Sequence, residues 1–189
     1  MSDAPLIGSY NPDDVLAWES GGPRTARRFL SDVARLADSL PDRLAVLNLL
    51  SSRYEFLVGF AAAMLRGHVT LLPQSRAPQT LRRIAGEHRE SYCLTNPDEP
   101  IDGVESVHLA PASGIVSWPD RVPRIPLDRV VAIAFTSGST GVPKGVPVTH
   151  ANVLHYINAF IERTSPTEQD RFTQLTDLSF DFSVHDYFS

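Results

Sequence analysis

Cys93 is the only cysteine in 189 residues, so no intramolecular disulfide can form and no cysteine-rich metal site can be built. A reducing compartment suits such a chain. Long apolar runs are missing too: the longest, residues 56–65, is about ten residues, half of a membrane span. The N-terminus, Met1-Ser2-Asp3-Ala4-Pro5, has neither the basic start nor the apolar stretch of a secretory signal. The expectation is a soluble protein of the cytoplasm. Basic charge is in the minority, with 17 Lys and Arg against 22 Asp and Glu, a net charge of −5. That balance argues against a nucleic-acid surface, because phosphate backbones are met by basic patches. Arg24, Arg27, Arg28, Arg82 and Arg83 fall in helix-like stretches and read as solvated faces. What remains is a chain 42% hydrophobic and 21% charged, able to bury the core of one ordinary domain.

Along the chain, Leu16, Ala17 and Trp18 form a strand candidate that turns at Gly21-Gly22-Pro23. Thr25 is then placed to cap a helix running to Ser39, with Phe29, Leu30, Val33, Leu36, Ala37 and Leu40 on one face and Pro41 as the stop. Leu44 to Leu50 is a continuous apolar run, as expected of a strand buried on both faces. A second helix from Arg53 to Arg66 closes on Gly67 as a C-cap, and Val69 to Leu72 is a strand ending at Pro73. Strand, helix and strand with short links predict a βαβ unit, hence an α/β fold with a partly parallel sheet flanked by helices. Pro78 to His88 is expected to be a helix with Leu81 and Ile84 inward, Tyr92 to Leu94 a short strand, and Val104 to Leu109 another. The proline-rich, polar region 97–127 reads as a surface connection, because the strand at Val130 must rejoin the same sheet. Trp118 within it is as suited to packing as to binding. Val146-Pro147-Val148 is too short to assign. Thr149 is expected to cap a helix to Arg163, with Val153, Leu154, Ile157, Phe160 and Ile161 inward. His150 and His155, on different faces of that helix, do not make a metal pair.

The most informative stretch is Thr136-Ser137-Gly138-Ser139-Thr140-Gly141-Val142-Pro143-Lys144-Gly145, directly after the strand-like Val130, Val131, Ile133 and Phe135. Side-chain bulk disappears within three residues, so main-chain N–H groups can converge on an anion. Four hydroxyls add donors worth about 1.5–3 kcal/mol each to a charged oxygen, and Lys144 adds a point charge. A Gly/Ser linker would show a similar composition. It would need neither a lysine at a set distance nor a buried-type strand leading into it. The common nucleotide-triphosphatase loop requires Gly-Lys-Ser/Thr, whereas Lys144 follows Pro143.

This run of ten positions resembles, without departure, the phosphate loop of the adenylate-forming superfamily: acyl-CoA synthetases, luciferases and nonribosomal peptide synthetase adenylation domains. The segment from Leu65-Arg66-Gly67 to Leu71-Leu72-Pro73 and the cap Thr149-His150-Ala151-Asn152 are similar to structural landmarks of the same family. The resemblance implies that Thr136, Ser137, Gly138, Ser139, Thr140, Gly141 and Lys144 contact ATP, with Thr140 toward Mg²⁺. It also implies that a substrate carboxylate attacks the α-phosphate to give an acyl-adenylate. Such chemistry at phosphorus depends mainly on positioning and charge neutralisation.

Near the end, Phe180-Asp181-Phe182-Ser183-Val184 sets one carboxylate among apolar neighbours, costly to bury without a cation. On residue chemistry alone, a helix N-cap by Asp181 is equally open. The pattern resembles the motif of amino-acid-activating members, in which this aspartate pairs with the substrate ammonium. By that resemblance Asp181 anchors the amine, and Phe182 and His185 line the substrate pocket. Leu65 to Val69 looks closer to acyl-CoA synthetases.

The family's adenine-stacking motif, ribose aspartate, hinge and lysine-bearing lid have no counterpart here, and none of these residues is assigned as catalytic. The expectation is therefore an incomplete N-terminal subdomain, residues 1–189, with exposed apolar surface and inactive alone. The implied function is ATP-dependent activation of a small carboxylic acid, an amino acid above all, for transfer to the phosphopantetheine thiol of coenzyme A or a carrier protein. An aryl- or fatty-acyl-CoA ligase is the alternative within the family, and a non-catalytic nucleotide-binding module the alternative outside it.

Overall fold

The computed structural model describes residues 2–8, 11–19, 21–96, 101, 103–109, 121–136, 144–167 and 170. The chain opens with β1 (Asp3–Pro5), then β2 (Val15–Glu19) and β3 (Gly22–Thr25), which pair as an antiparallel hairpin. The Thr25 hydroxyl accepts the amide of Arg28 and starts α1 (Ala26–Ser39), whose apolar face is the predicted one. After Pro41 come β4 (Ala45–Asn48) and α2 (Arg53–Arg66). Ser52 caps the start of α2, and its end is Gly67 at φ 75°, a left-handed conformation that side chains disfavour. Next are β5 (Val69–Leu72), α3 (Pro78–Glu87), β6 (Ser91–Leu94) and β7 (Ser106–Val107). The chain continues through β8 (Arg124–Pro126), β9 (Val130–Thr136), β10 (Lys144–Thr149) and α4 (His150–Thr164).

The main sheet has the order β10-β9-β5-β4-β6-β7. β9, β5, β4, β6 and β7 run parallel, and β10 alone is antiparallel. Alternation along β4 divides the core, since successive side chains point to opposite faces. Val46 and Leu50 pack with α1 and α2 through Phe29, Val33, Val58 and Ala62, whereas Ala45, Leu47 and Leu49 pack with Leu81 and Ile84 of α3. Both faces being covered explains the unbroken apolar run. The path β4-α2-β5 steps one way and β5-α3-β6 returns past β4, placing the two helices on opposite faces as right-handed crossovers require. Such a reversal opens a crevice at the carboxyl ends of the strands, where α/β proteins bind ligands. α4 packs beside α2 through Val153 and Ile157, and Arg129, just before β9, donates to the Met64 carbonyl in the last turn of α2 at 3.0 Å.

Several expectations need correction. The strand foreseen over Val104–Leu109 shrinks to Ser106–Val107. The connection before β9 carries β8, which pairs with β1 across most of the chain. Arg24 lies on β3, not on a helix, and bonds Glu19 at 2.7 Å with its guanidinium 5.4 Å from the Tyr54 ring centre. Ile161 is 44% exposed, so the inward face of α4 is narrower than its apolar residues suggest. Leu44, Val146 and Tyr156 are also exposed large apolar side chains, and Trp18 is 75% exposed.

His68 and His150 are both buried, and burial holds their pKa values below the ordinary 6.5. The unfolded chain therefore takes up protons that the fold resists, and stability should decline as pH falls through about 6.5 toward the depressed folded values. Urea midpoints should be lower at pH 5.5 than at pH 7.5, and a His68→Asn, His150→Asn variant should flatten that slope. Equal slopes in the two proteins would disprove the assignment.

Candidate functional site

β9 delivers its last residue, Thr136, to the carboxyl edge of the parallel strands, beside β5. The chain returns as β10, and its first residue, Lys144, stands directly opposite Thr136. Both are exposed, and the Thr136 hydroxyl donates to the Lys144 carbonyl at 3.4 Å. Thr136 and Lys144 are thus brought together at the mouth of the loop. Ser137, Gly138, Ser139, Thr140 and Gly141 lie outside the described residues.

Lys144 is the one lysine in the chain. Every ion pair among the described residues uses an arginine, whose planar fork suits carboxylates, and Lys144 has no ion pair to a described residue. A point charge at the carboxyl edge, with no ion pair to a described residue, stands where an anionic ligand of an α/β fold would meet it.

The hairpin is backed on both sides. Phe135 is buried beneath α3 with Leu71, Leu81 and Ile84. On the other side, Thr149 and Asn152 form a reciprocal capping box at the start of α4, as expected of a structural cap. His150 is buried with Nδ1 3.3 Å from the Ile125 carbonyl oxygen, whereas His155 is exposed. Among the described residues no group of three or more His, Cys, Asp or Glu could hold a metal ion.

Two polar side chains at the same carboxyl edge have no signal in the sequence. Arg76, beyond β5, donates to the Leu49 carbonyl at 2.9 Å, and Asn96, beyond β6, donates to the Ser51 hydroxyl at 2.7 Å. They tie together the strand ends that flank the crevice. Only their position after strand termini could have marked them. Asp181, Phe182 and His185 lie outside the described residues, as does Trp118. Cys93 is fully buried in the core, and burial pushes its thiol up to about 12, an inert group. Among the described residues no helix is long and apolar enough to cross a membrane.

A family model described as AMP-binding enzyme matches residues 11–189. The chain is 35% identical over 97 residues to pyochelin synthetase PchF of Pseudomonas aeruginosa, covering 51% of this chain and 5% of that protein. It is 43% identical over 65 residues to bacitracin synthase 1 of Bacillus licheniformis, covering 34% of this chain and 1% of that protein. It is 34% identical over 122 residues to the hybrid PKS-NRPS synthetase TAS1 of Pyricularia oryzae, covering 61% and 7%. The chain thus spans a small part of the length of these relatives. Among solved structures, O-succinylbenzoate coenzyme A synthetase of Bacillus subtilis, with ATP and magnesium ion, matches with a TM-score of 0.78 and 20% identity over 99% of this chain and 55% of that one. The Klebsiella oxytoca NpsA N-terminal subdomain matches with a TM-score of 0.74 and 19% identity over 94% of this chain and 47% of that one.

Proposed function

The chain belongs to the AMP-binding enzyme family, and from that premise we propose that it supplies the phosphate-gripping part of an ATP-dependent acid–thiol ligase. The acid is activated as an acyl-adenylate and then passed to a phosphopantetheine thiol, on coenzyme A or on a carrier protein. The observation that carries this is Lys144, without an ion pair to a described residue, facing Thr136 across the β9–β10 pair at the strand edge where α/β folds receive ligands. In this reading Lys144 neutralises charge that grows on the departing pyrophosphate, and Thr136, Ser137, Ser139 and Thr140 donate to its oxygens. Mg²⁺, with Thr140 toward it, adds neutralisation of the phosphates when bound. The buried, unreactive thiol of Cys93 is consistent with a cytoplasmic setting.

The substrate is an amino acid, held through its ammonium by Asp181 with Phe182 and His185 around it. A site built for that salt bridge rejects acids lacking the amine, because the carboxylate would be left buried and unpaired. The hybrid PKS-NRPS synthetase among the relatives, in part a nonribosomal peptide synthetase by name, supports this choice. Pyrophosphate exchange into ATP, measured on the protein as it is produced in its native host, tests it against panels of α-amino, des-amino and aryl acids. Exchange driven by α-amino acids and lost in Asp181→Asn is expected. Exchange with aryl or fatty acids alone would make the protein an acyl-CoA ligase of another substrate class, and ATP binding without any exchange would make it a non-catalytic nucleotide module.

A further inference from the structure

Gly145 stands opposite Phe135 in the β9–β10 register. A Cβ on it would come within 2.8 Å of Ile133 Cγ2 and 3.5 Å of Phe135 Cε1. Neither neighbour is free to yield. Ile133 is β-branched and stiff about its first side-chain torsion. Phe135 is held from behind by α3, its ring edge-on to His88 with centroids 6.0 Å apart and planes at 85°. Residue 145 must therefore lack a side chain if β10 is to lie in this register. Shifting β10 by one residue instead would turn Lys144 to the opposite face of the sheet. β10 is an edge strand carrying Pro147, so its register is held from one side alone, by β9.

We propose that Ile133, Phe135 and Gly145, braced by His88, are positioning residues that set the register of β10 against β9 and thereby present Lys144 opposite Thr136. The link to ATP rests on the nucleotide reading above; the link to register does not. Two readouts keep them separate: cross-strand nuclear Overhauser contacts between residues 136 and 144, and equilibrium dialysis of the chain against ATP with Mg²⁺. In Gly145→Ala the cross-strand contacts should be lost and the ATP dissociation constant should rise about tenfold. Adding Ile133→Ala removes the obstructing methyl and should restore both, to within about threefold of Ile133→Ala alone in affinity. Unchanged contacts and affinity in Gly145→Ala would overturn the proposal, and so would a double variant that folds without recovering either. Should both variants fail to fold, Ile133 is not the reason for the glycine and the proposal falls. A wild-type chain that shows the contacts but binds no ATP would remove the nucleotide reading and leave the register claim standing.

Discussion

Replacing Lys144 by alanine should weaken ATP binding by about 10- to 100-fold and leave thermal stability unchanged. A hydrogen bond between charged groups contributes about 1.5–3 kcal/mol, and each 1.4 kcal/mol is a factor of ten in affinity. Lys144 is exposed at the first position of an edge strand and has no ion pair to a described residue, so the fold loses little when it is shortened. Surface changes of that kind usually stay within about 0.5 kcal/mol. Lys144→Arg should recover only part of the loss, because a planar fork does not reproduce a compact ammonium. Being the one lysine of the chain, Lys144 can also be followed by amine-selective acylation, with the N-terminal amine as internal reference. ATP should shield the side chain and not the reference. Affinity that survives Lys144→Ala unchanged would sink the phosphate-grip interpretation.

A change far from the loop should matter most for stability. Asp32, 6% exposed in α1, accepts from Arg28 at 2.9 Å, from Arg35, and from the Tyr54 hydroxyl at 2.8 Å. Burial first, and then that bond to Asp32, hold the Tyr54 phenol well above its usual range. The same cluster reaches the β2–β3 hairpin through Glu19, which pairs with Arg24 at 2.7 Å and accepts from Ser52 at 2.8 Å. It lines a cavity of about 320 Å³. Asp32→Ala would remove one acceptor shared by two guanidinium groups and a buried hydroxyl. Breaking a buried pair costs about 3–5 kcal/mol, and water reaching the partly exposed Arg28 and Arg35 brings the expectation to about 3 kcal/mol. That corresponds to a fall in Tm of roughly 6–12 °C for a chain of this size. Urea titration followed by far-UV circular dichroism measures it, with Tyr54→Phe expected to lose about 1 kcal/mol. A loss below about 1 kcal/mol for Asp32→Ala would mean that the cluster is solvated rather than structural.

The hydrophobic spacing from Phe29 to Leu40 and the caps at Thr25, Ser52, Gly67 and Thr149 specify their helices locally. A helix boundary depends on side chains within one turn of it. The run around Val46 and Leu47 announces a doubly covered strand for the same reason: burial on both faces leaves no polar alternation. The hydroxyls, glycines and lysine of residues 136–145 carry the phosphate reading from the sequence alone, because few structural uses exist for that combination.

Chain order alone determined the helices, the central parallel strands and the chemical character of the loop, since each is written in neighbours a few residues apart. Tertiary structure alone decided that Lys144 to Thr149 is a strand, because glycine and proline give it little β preference and β9 supplies the edge it pairs with. It also decided that Arg76 and Asn96 meet the loop's edge of the sheet, and that Asp32 draws Arg28, Arg35 and Tyr54 around one carboxylate. Such contacts join side chains from separate elements, and the free energy that selects them exists only once those elements have packed.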